Sequence, residues 1–422
     1  MREIQLAFHF FFSFLREFWW FILPPILFFI WRDLWLHYRR RRYILSLDWV
    51  TLRLKVPPEV LKTPKAMEQF FAAIHAAKTS PNWRERYLKG EVPTWLSFEI
   101  VGIGGGGIYF FIRTPKKYRD LIESQLYAQY PDIEIYETED YPKFLPPHLP
   151  DKNYDLWGTE LALEKDDPYP IKTYQFFEDQ KEEKRLDPLA GLVEWLNRLR
   201  DGEQIWMQIV LEPTGSDFKK KGEEIIAKLI GKPEEKKKSS WAGVEWPVSP
   251  WEFFVNFIKA PFEAPTWSEG KKEDKEKLPS KVQFLSSGEK EIVEAIEKKI
   301  AKLGYEGGIR VLYIGKRDVF SKANIAAINA YFRQFNTQNL NAFKSNSKVA
   351  TKVEFWFKNH RENLRKAKIY RYYRERERIH KKSVFNVEEL ATLYHFPLRS
   401  VTAPTLERIY SRKGAPPSNL PI

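Results

Sequence analysis

The chain has no cysteine among its 422 residues. That absence excludes disulfides, thiolate metal sites and cysteine nucleophiles, and it suits a reducing compartment. Histidine is scarce as well. His9, His37, His75, His148, His360, His380 and His395 are all there are, and no two stand at a ligand spacing such as H-x-x-x-H. No G-x-x-x-x-G-K-[ST] loop occurs, so the usual cradle for a nucleoside triphosphate is missing. No metal, cofactor or enzymatic activity is expected from these counts.

One glycine pattern invites a nucleotide-binding interpretation. Gly102, Gly104 and Gly107 satisfy G-x-G-x-x-G within EIVGIGGGGIYFFIRTP. The dinucleotide fingerprint needs a helix after the glycines, because the phosphate sits on free N–H groups at a helix start. IYFFIRTP is instead aromatic and β-branched and closes on Thr-Pro, which is strand chemistry. Gly104 to Gly107 are therefore expected to turn a β-hairpin, where glycine supplies positive φ.

What is abundant is apolar and basic. Hydrophobic residues make up 43% and aromatics 16% of the chain, too much for a disordered protein. The formal net charge of +13 favours anionic partners, either nucleic acid or the inner face of a membrane.

The longest apolar stretch lies near the N-terminus, between Leu6 and Leu36, and is broken by Arg16-Glu17 and Arg32-Asp33. A span from Phe18 to Leu36 falls close to the roughly 20 residues a bilayer requires if Arg32 and Asp33 snorkel. Trp19, Trp20, Trp31 and Trp35 fall near its two ends as an aromatic belt, and Pro24-Pro25 predicts a kink in the middle. A cleaved signal peptide is the alternative, but four arginines, Arg39 to Arg42, stand where small residues would be needed. Those arginines place the body on the cytoplasmic side of the membrane. A re-entrant hairpin would leave the body on the same side. Residues 1–42 thus form an anchor, and the lipid bilayer is the first expected partner.

Beyond Tyr43 the periodicity predicts an α+β body. Residues 43–141 give β-α-β-β-α-β, the order of a ferredoxin-like domain. Residues 142–360 give a second α+β sandwich of the same kind, with KVEFWFK as its last strand. It is interrupted at 231–286 by a Lys/Glu-rich insertion. The insertion's centre carries Trp251, Phe253, Phe254 and Phe257, which suit a loop returning to the membrane surface, or packing on a neighbouring sheet or partner subunit.

Residues 361–382 read as a basic helix. Arg365, Lys366, Lys368 and Arg371 beside Tyr372 could grip a nucleic-acid backbone and stack bases, and a solvated helix with Glu–Arg pairs is the plainer alternative. DNA is therefore a candidate partner. In 383–422 a short helix over Val387 to Leu393 is expected, with Asn386 as N-cap and Glu388-Glu389 near the positive end of its dipole. Pro397, Pro404, Pro416, Pro417 and Pro421 then predict an extended strap.

The segments AMEQFFAAIHAA, FEIVGIGGGGIYFFIRTPKKYRDLIESQLYAQYPDIEIYETEDY and FNVEELATLYHFPLRSVTAPTLERIYSRKGAPPSNLP are similar to the region ahead of the motor in membrane-associated conjugation or type IV secretion ATPases, HerA/FtsK-like, of small uncultured-lineage bacteria. The resemblance runs from about Trp49 to Pro421 and stops where the motor would begin. It implies a separately encoded ATPase as partner, a translocated DNA or protein substrate and assembly in a ring. In the proteins it resembles the strap leads into the ATPase, so the resemblance implies that Leu390, Leu393, Tyr394 and Phe396 anchor a tail that docks on the motor.

Overall fold

The computed structural model describes residues 2–57, 60–178, 185–215, 217–231, 285–354, 357–401 and 404–408, with side chains from Arg16 onward apart from Phe18 and Ile22. Trp251, Phe253, Phe254 and Phe257 lie outside the described residues. The described part is mixed α+β, built on one antiparallel sheet with a long N-terminal helix, α1 (Arg2–Ser46).

Among the described residues nine strands alternate with eight further helices. β1 (Trp49–Lys55), α2 (Lys65–Ile74), β2 (Leu96–Ile103), β3 (Gly107–Pro115), α3 (Arg119–Gln129) and β4 (Glu134–Thr138) follow α1. Then come β5 (Tyr154–Leu163), α4 (Ala190–Asn197), β6 (Glu203–Pro213), α5 (Asp217–Leu229), α6 (Ser287–Ile300), β7 (Gly304–Lys316), α7 (Lys322–Arg333) and β8 (Phe343–Ser345). The chain ends with α8 (Lys358–Arg374), β9 (Ser383–Asn386) and α9 (Val387–Leu393).

The sheet order is β4-β1-β3-β2-β6-β7-β5-β8, with β9 paired to β7. Two runs of four strands share one plan: each half reads fourth, first, third, second. The halves are not separate layers, because β2 and β6 pair antiparallel from Leu96↔Leu211 to Ile103↔Gln204 and make the sheet continuous. The described part of KVEFWFK forms no strand: residues 352–354 are irregular, Lys358 starts α8, Phe355 and Trp356 lie outside the described residues, and β8 takes the edge instead. β8 already pairs with Leu161, Ala162 and Leu163 of β5 and so holds that edge before the chain reaches Lys352.

The period-two alternation of the strands sorts side chains to two faces. Leu52, Phe98, Phe110, Ile209, Ile309 and Val311 point to the first face, which α2, α3, α4, α7 and α9 cover. Val101, Phe111, Trp206, Leu312 and Ile314 point to the second, where Ile369, Tyr370 and Tyr373 of α8 lie on them. The glycine run is a hairpin turn. Gly105 and Gly107 adopt φ of +71° and +137°, and Gly106 N donates to Ile103 O at 2.9 Å. Glycine takes these values without a Cβ clash.

Candidate membrane anchor and basic interface

Among the described residues one helix is long and apolar enough to cross a membrane, within Trp19–Ser46. It runs unbroken through Pro24 and Pro25. Each proline removes one backbone hydrogen bond, which a helix tolerates at the cost of local bending. Trp20, Phe21, Phe28, Trp31 and Leu34 are all exposed, Phe21 by 69%. Trp31 stacks on Trp35 with centroids 6.0 Å apart, and the Arg39 guanidinium lies 5.6 Å from the Trp35 ring. Arg32 pairs with Asp33 at 3.0 Å, so the charged break in the apolar run is neutralised locally.

The end of α1 is fixed to the body. Tyr43, Ile44 and Trp49 pack against Val92, Trp95, Val210 and Ile379 on the second face of the sheet. Arg39 Nε donates to Leu88 O at 2.9 Å. Gly90, at φ +74°, lies so near that a Cβ there would stand 2.5 Å from the Arg39 carbonyl carbon. α1 and the body are thus joined without a flexible linker.

The second face holds a polar row that sequence patterning missed. Glu99 of β2, Gln208 of β6, Arg310 of β7 and Glu160 of β5 lie directly opposite one another across four neighbouring strands. All four are fully buried. Gln208 Nε2 donates to Glu99 Oε1 at 2.9 Å, and Arg310 Nη1 to Gln208 Oε1 at 2.9 Å. Arg310 Nη2 donates to Glu160 Oε1 at 2.7 Å. The chain beyond α8 closes the other end, where Arg376 takes φ of +48° and binds Glu99 at 2.9 and 3.0 Å. It also grips Asp140 with two bonds of 2.7 Å.

Burial alone would push the Glu99 carboxyl up. The Arg376 charge and hydrogen bonds from Arg376, Ser97 and Tyr141 reverse this and hold it at about 2. Burial likewise pulls Arg310 down, against the pull of Glu160 upward. Such a set costs several kcal/mol of desolvation per ion, offset only when each lone pair and proton is matched. Here most are: Arg310 also reaches the carbonyls of Tyr372 at 2.8 Å and Glu377 at 3.1 Å, and Gln208 that of Tyr373 at 3.2 Å. These carbonyls stand at and just beyond the end of α8, where the helix dipole favours a cation.

α8 is therefore structural on its inner side. It ends at Arg374, short of Lys382, and the next eight residues turn across the polar row. Lys366 is buried, bonded to Asp155 at 2.8 Å and Glu362 at 3.0 Å, and Tyr372 is buried against His380 with ring centroids 4.7 Å apart. Neither faces solvent as a nucleic-acid contact requires. Arg365 is half-buried, and its Nη1 caps the carbonyls of Ser347, Ala350 and Lys352. Lys368 and Arg371 are exposed. Two of the five residues thus stand on an accessible basic surface.

The tail departs most from expectation. Asn386 caps α9 as predicted, in a capping box with Glu389. Leu390, Leu393, Tyr394 and Phe396, expected to anchor a strap against another chain, instead lie fully inside this protein's own core. Tyr394 packs edge-on against Phe98 and Phe110 at 5.3 and 5.7 Å, and Phe396 against Phe110 and Tyr130 at 5.4 and 4.9 Å. Buried Glu389 meets buried Lys299 at 3.0 Å, and His395 meets Asp187 at 2.9 Å. The chain then runs along the first half of the sheet: Ile108 N donates to Thr405 O at 3.0 Å, and Val56 N to Glu407 O at 3.3 Å. The physical reason is the spacing of four large apolar residues in seven positions, which satisfies a core more readily than an isolated strap.

No group of three or more metal-ligating side chains occurs among the described residues. The described residues form a mixed α+β body carried behind an exposed apolar helix. The chain belongs to the family described as a domain of unknown function, DUF8128, whose model matches residues 46–408. That match begins where α1 ends and stops at Arg408, so the family unit is the whole sheet with its C-terminal closure. No curated protein matches the chain.

Proposed function

We propose that this chain is a non-enzymatic, membrane-anchored body of two ferredoxin-like units that assembles, as a ring, with a separately encoded motor ATPase of a type IV secretion or conjugation-like apparatus in a bacterial inner membrane. The observation that carries the anchoring is the exposure of α1: an aromatic helix standing outside a densely packed body loses less by entering lipid than by staying in water. Arg39 to Arg42 at its end orient the body toward the cytoplasm. The motor and the ring rest on the resemblance noted above. Because Leu390 to Phe396 are used inside the core, the motor-facing element is the segment after Arg408.

The test is co-purification from membranes with the separately encoded ATPase. A chain truncated after Arg408 should stay folded and membrane-bound yet lose the ATPase. Undiminished recovery of the ATPase would remove the tail from the interface.

A second role, tethered nucleic-acid binding, is favoured by one observation: Lys368 and Arg371 remain exposed on the outer side of α8, beside Arg361 and Lys358.

A further inference from the structure

Residues 82–90 lie outside the sheet, between α2 and β2, and carry NWRERYLKG. Asn82 N donates to Glu85 Oε2 at 2.8 Å, Arg86 N donates to Asn82 O at 2.9 Å, and a π turn over Glu85–Lys89 closes on Gly90. A π turn bonds five residues along, which brings positions 83, 87 and 88 to one side. Trp83 is 70% exposed, Leu88 60% and Tyr87 37%, with the Trp83 and Tyr87 rings 5.5 Å apart. Arg84, Arg86 and Lys89 are exposed between them. Three large apolar side chains and three cations on a single short turn form the composition of an interfacial element.

Its height is set by α1. Arg39 Nη2 and Nε hold Leu88 O at 2.5 and 2.9 Å, and Gly90 abuts the Arg39 backbone. Arg39 lies three residues past Leu36, about 4.5 Å along the helix axis. The headgroup layer is roughly 5–7 Å deep on each side of the hydrocarbon. With α1 across the bilayer, Trp83, Tyr87 and Leu88 are level with that layer. Arg40 and Arg86 also lie close enough to Arg378 to act on its charge, so cations gather here from three parts of the chain. Glu85 and Glu91 are the acidic residues of the same stretch, and Lys89 meets Glu91 at 3.6 Å.

We propose that residues 83–89 are a second membrane contact, Trp83, Tyr87 and Leu88 entering the cytoplasmic headgroup layer of an anionic bilayer while Arg84, Arg86 and Lys89 bind its phosphates. With α1 this gives two points of attachment and fixes the tilt of the body. The inference rests on α1 crossing the membrane.

The absence of cysteine makes the test direct. Single variants Ile26→Cys, Leu88→Cys and Leu186→Cys of the full chain are nitroxide-labelled and reconstituted in phosphatidylcholine vesicles with or without 30% phosphatidylglycerol. Leu186, exposed and tied by its N–H to Phe177 beside the first-face core, serves as the distant reference. The labels at positions 26 and 88 should be more accessible to oxygen than to a water-soluble nickel chelate, and the label at 186 the reverse. Phosphatidylglycerol should deepen the label at 88, and combined Arg84→Gln, Arg86→Gln and Lys89→Gln should abolish that response. If position 26 is in lipid and position 88 in water, the second contact is refuted and the anchor stands. If both are in water, the anchor fails and the inference with it. A label at 88 screened from both reagents would mean a protein partner there, which also overturns it.

Discussion

Glu99 and Arg376 stand 277 positions apart in the chain and meet at 2.9 Å, fully buried, at one end of a polar row that spans four strands. Their pairing ties the first half of the sheet to the segment that leaves α8. Removing one partner strands the other as an uncompensated buried charge. Arg376→Leu should cost about 3–5 kcal/mol, whereas Glu99→Gln together with Arg376→Leu should cost less than the sum of the single changes. Urea unfolding of the detergent-solubilised chain, followed by near-ultraviolet circular dichroism, measures both. Additive losses would show that the two do not interact.

Acid should expose the same pair. The folded-state carboxyl of Glu99 is held at about 2, below its ordinary 4.5, so its contribution is present above pH 4.5 and is lost as pH falls toward 2. Two and a half units correspond to about 3 kcal/mol. Asp187 is also held low: burial raises it, but His395 and backbone donors prevail, so it acts with the same sign. Glu99→Gln should therefore flatten, without abolishing, the fall in stability between pH 4.5 and 2. An unchanged slope would show that Glu99 titrates normally in the fold.

The C-terminal closure should behave as core. Leu393→Ala should destabilise by about 2–5 kcal/mol and Tyr394→Ala by a comparable amount, because both fully buried side chains leave cavities. Truncation after Arg408 should leave the melting temperature within a degree or two. A neutral Tyr394→Ala would contradict the packing on Phe98 and Phe110.

Where α1 is cut should matter more than how much is removed. Deletion through Tyr38 should release the protein from membranes with its body folded, since packing against the sheet begins with Tyr43 and Ile44. Deletion through Ser46 uncovers Trp49 and Trp95, whose rings lie 5.0 Å apart, and should lower stability by about 2–3 kcal/mol. Flotation and thermal unfolding separate the effects; equal stabilities would deny the joint.

On α8, Lys368→Gln and Arg371→Gln should each lower the salt slope of DNA binding by about one counterion. Lys366→Gln should instead reduce stability, because its ammonium lies against Asp155 and Glu362. Equal loss of DNA binding from all three with no loss of stability would place Lys366 at the surface.

Local signals in the sequence were strong where one element decides its own shape. The hairpin at Gly104–Gly107, the α9 cap at Asn386, and the order of the first six elements all follow from turn chemistry and periodicity. Long-range pairing was not legible. Nothing within β2 or β6 says that they pair with each other, so two sheets were expected where one exists. The polar row did leave a trace: SFEIV, TELAL, MQIV and GIRVL each set one charged or amide residue inside an apolar strand. That trace reads as sheet-face alternation until the register aligns the four. The tail misled for a related reason, since apolar spacing shows that residues will be covered and not by which chain.

The closure also bears on the order of assembly during synthesis. α1 precedes every strand of the sheet in the chain. β9 must then add to β7 in one half of the sheet, and Leu406 and Arg408 must bridge to Ile108 and Val56 in the other. Until those residues leave the ribosome, the sides of Phe98 and Phe110 that Tyr394 and Phe396 cover stay exposed. The body therefore cannot complete its folding before residues 383 to 408 have been made, and a nascent chain stalled before residue 383 should remain open and vulnerable to proteolysis.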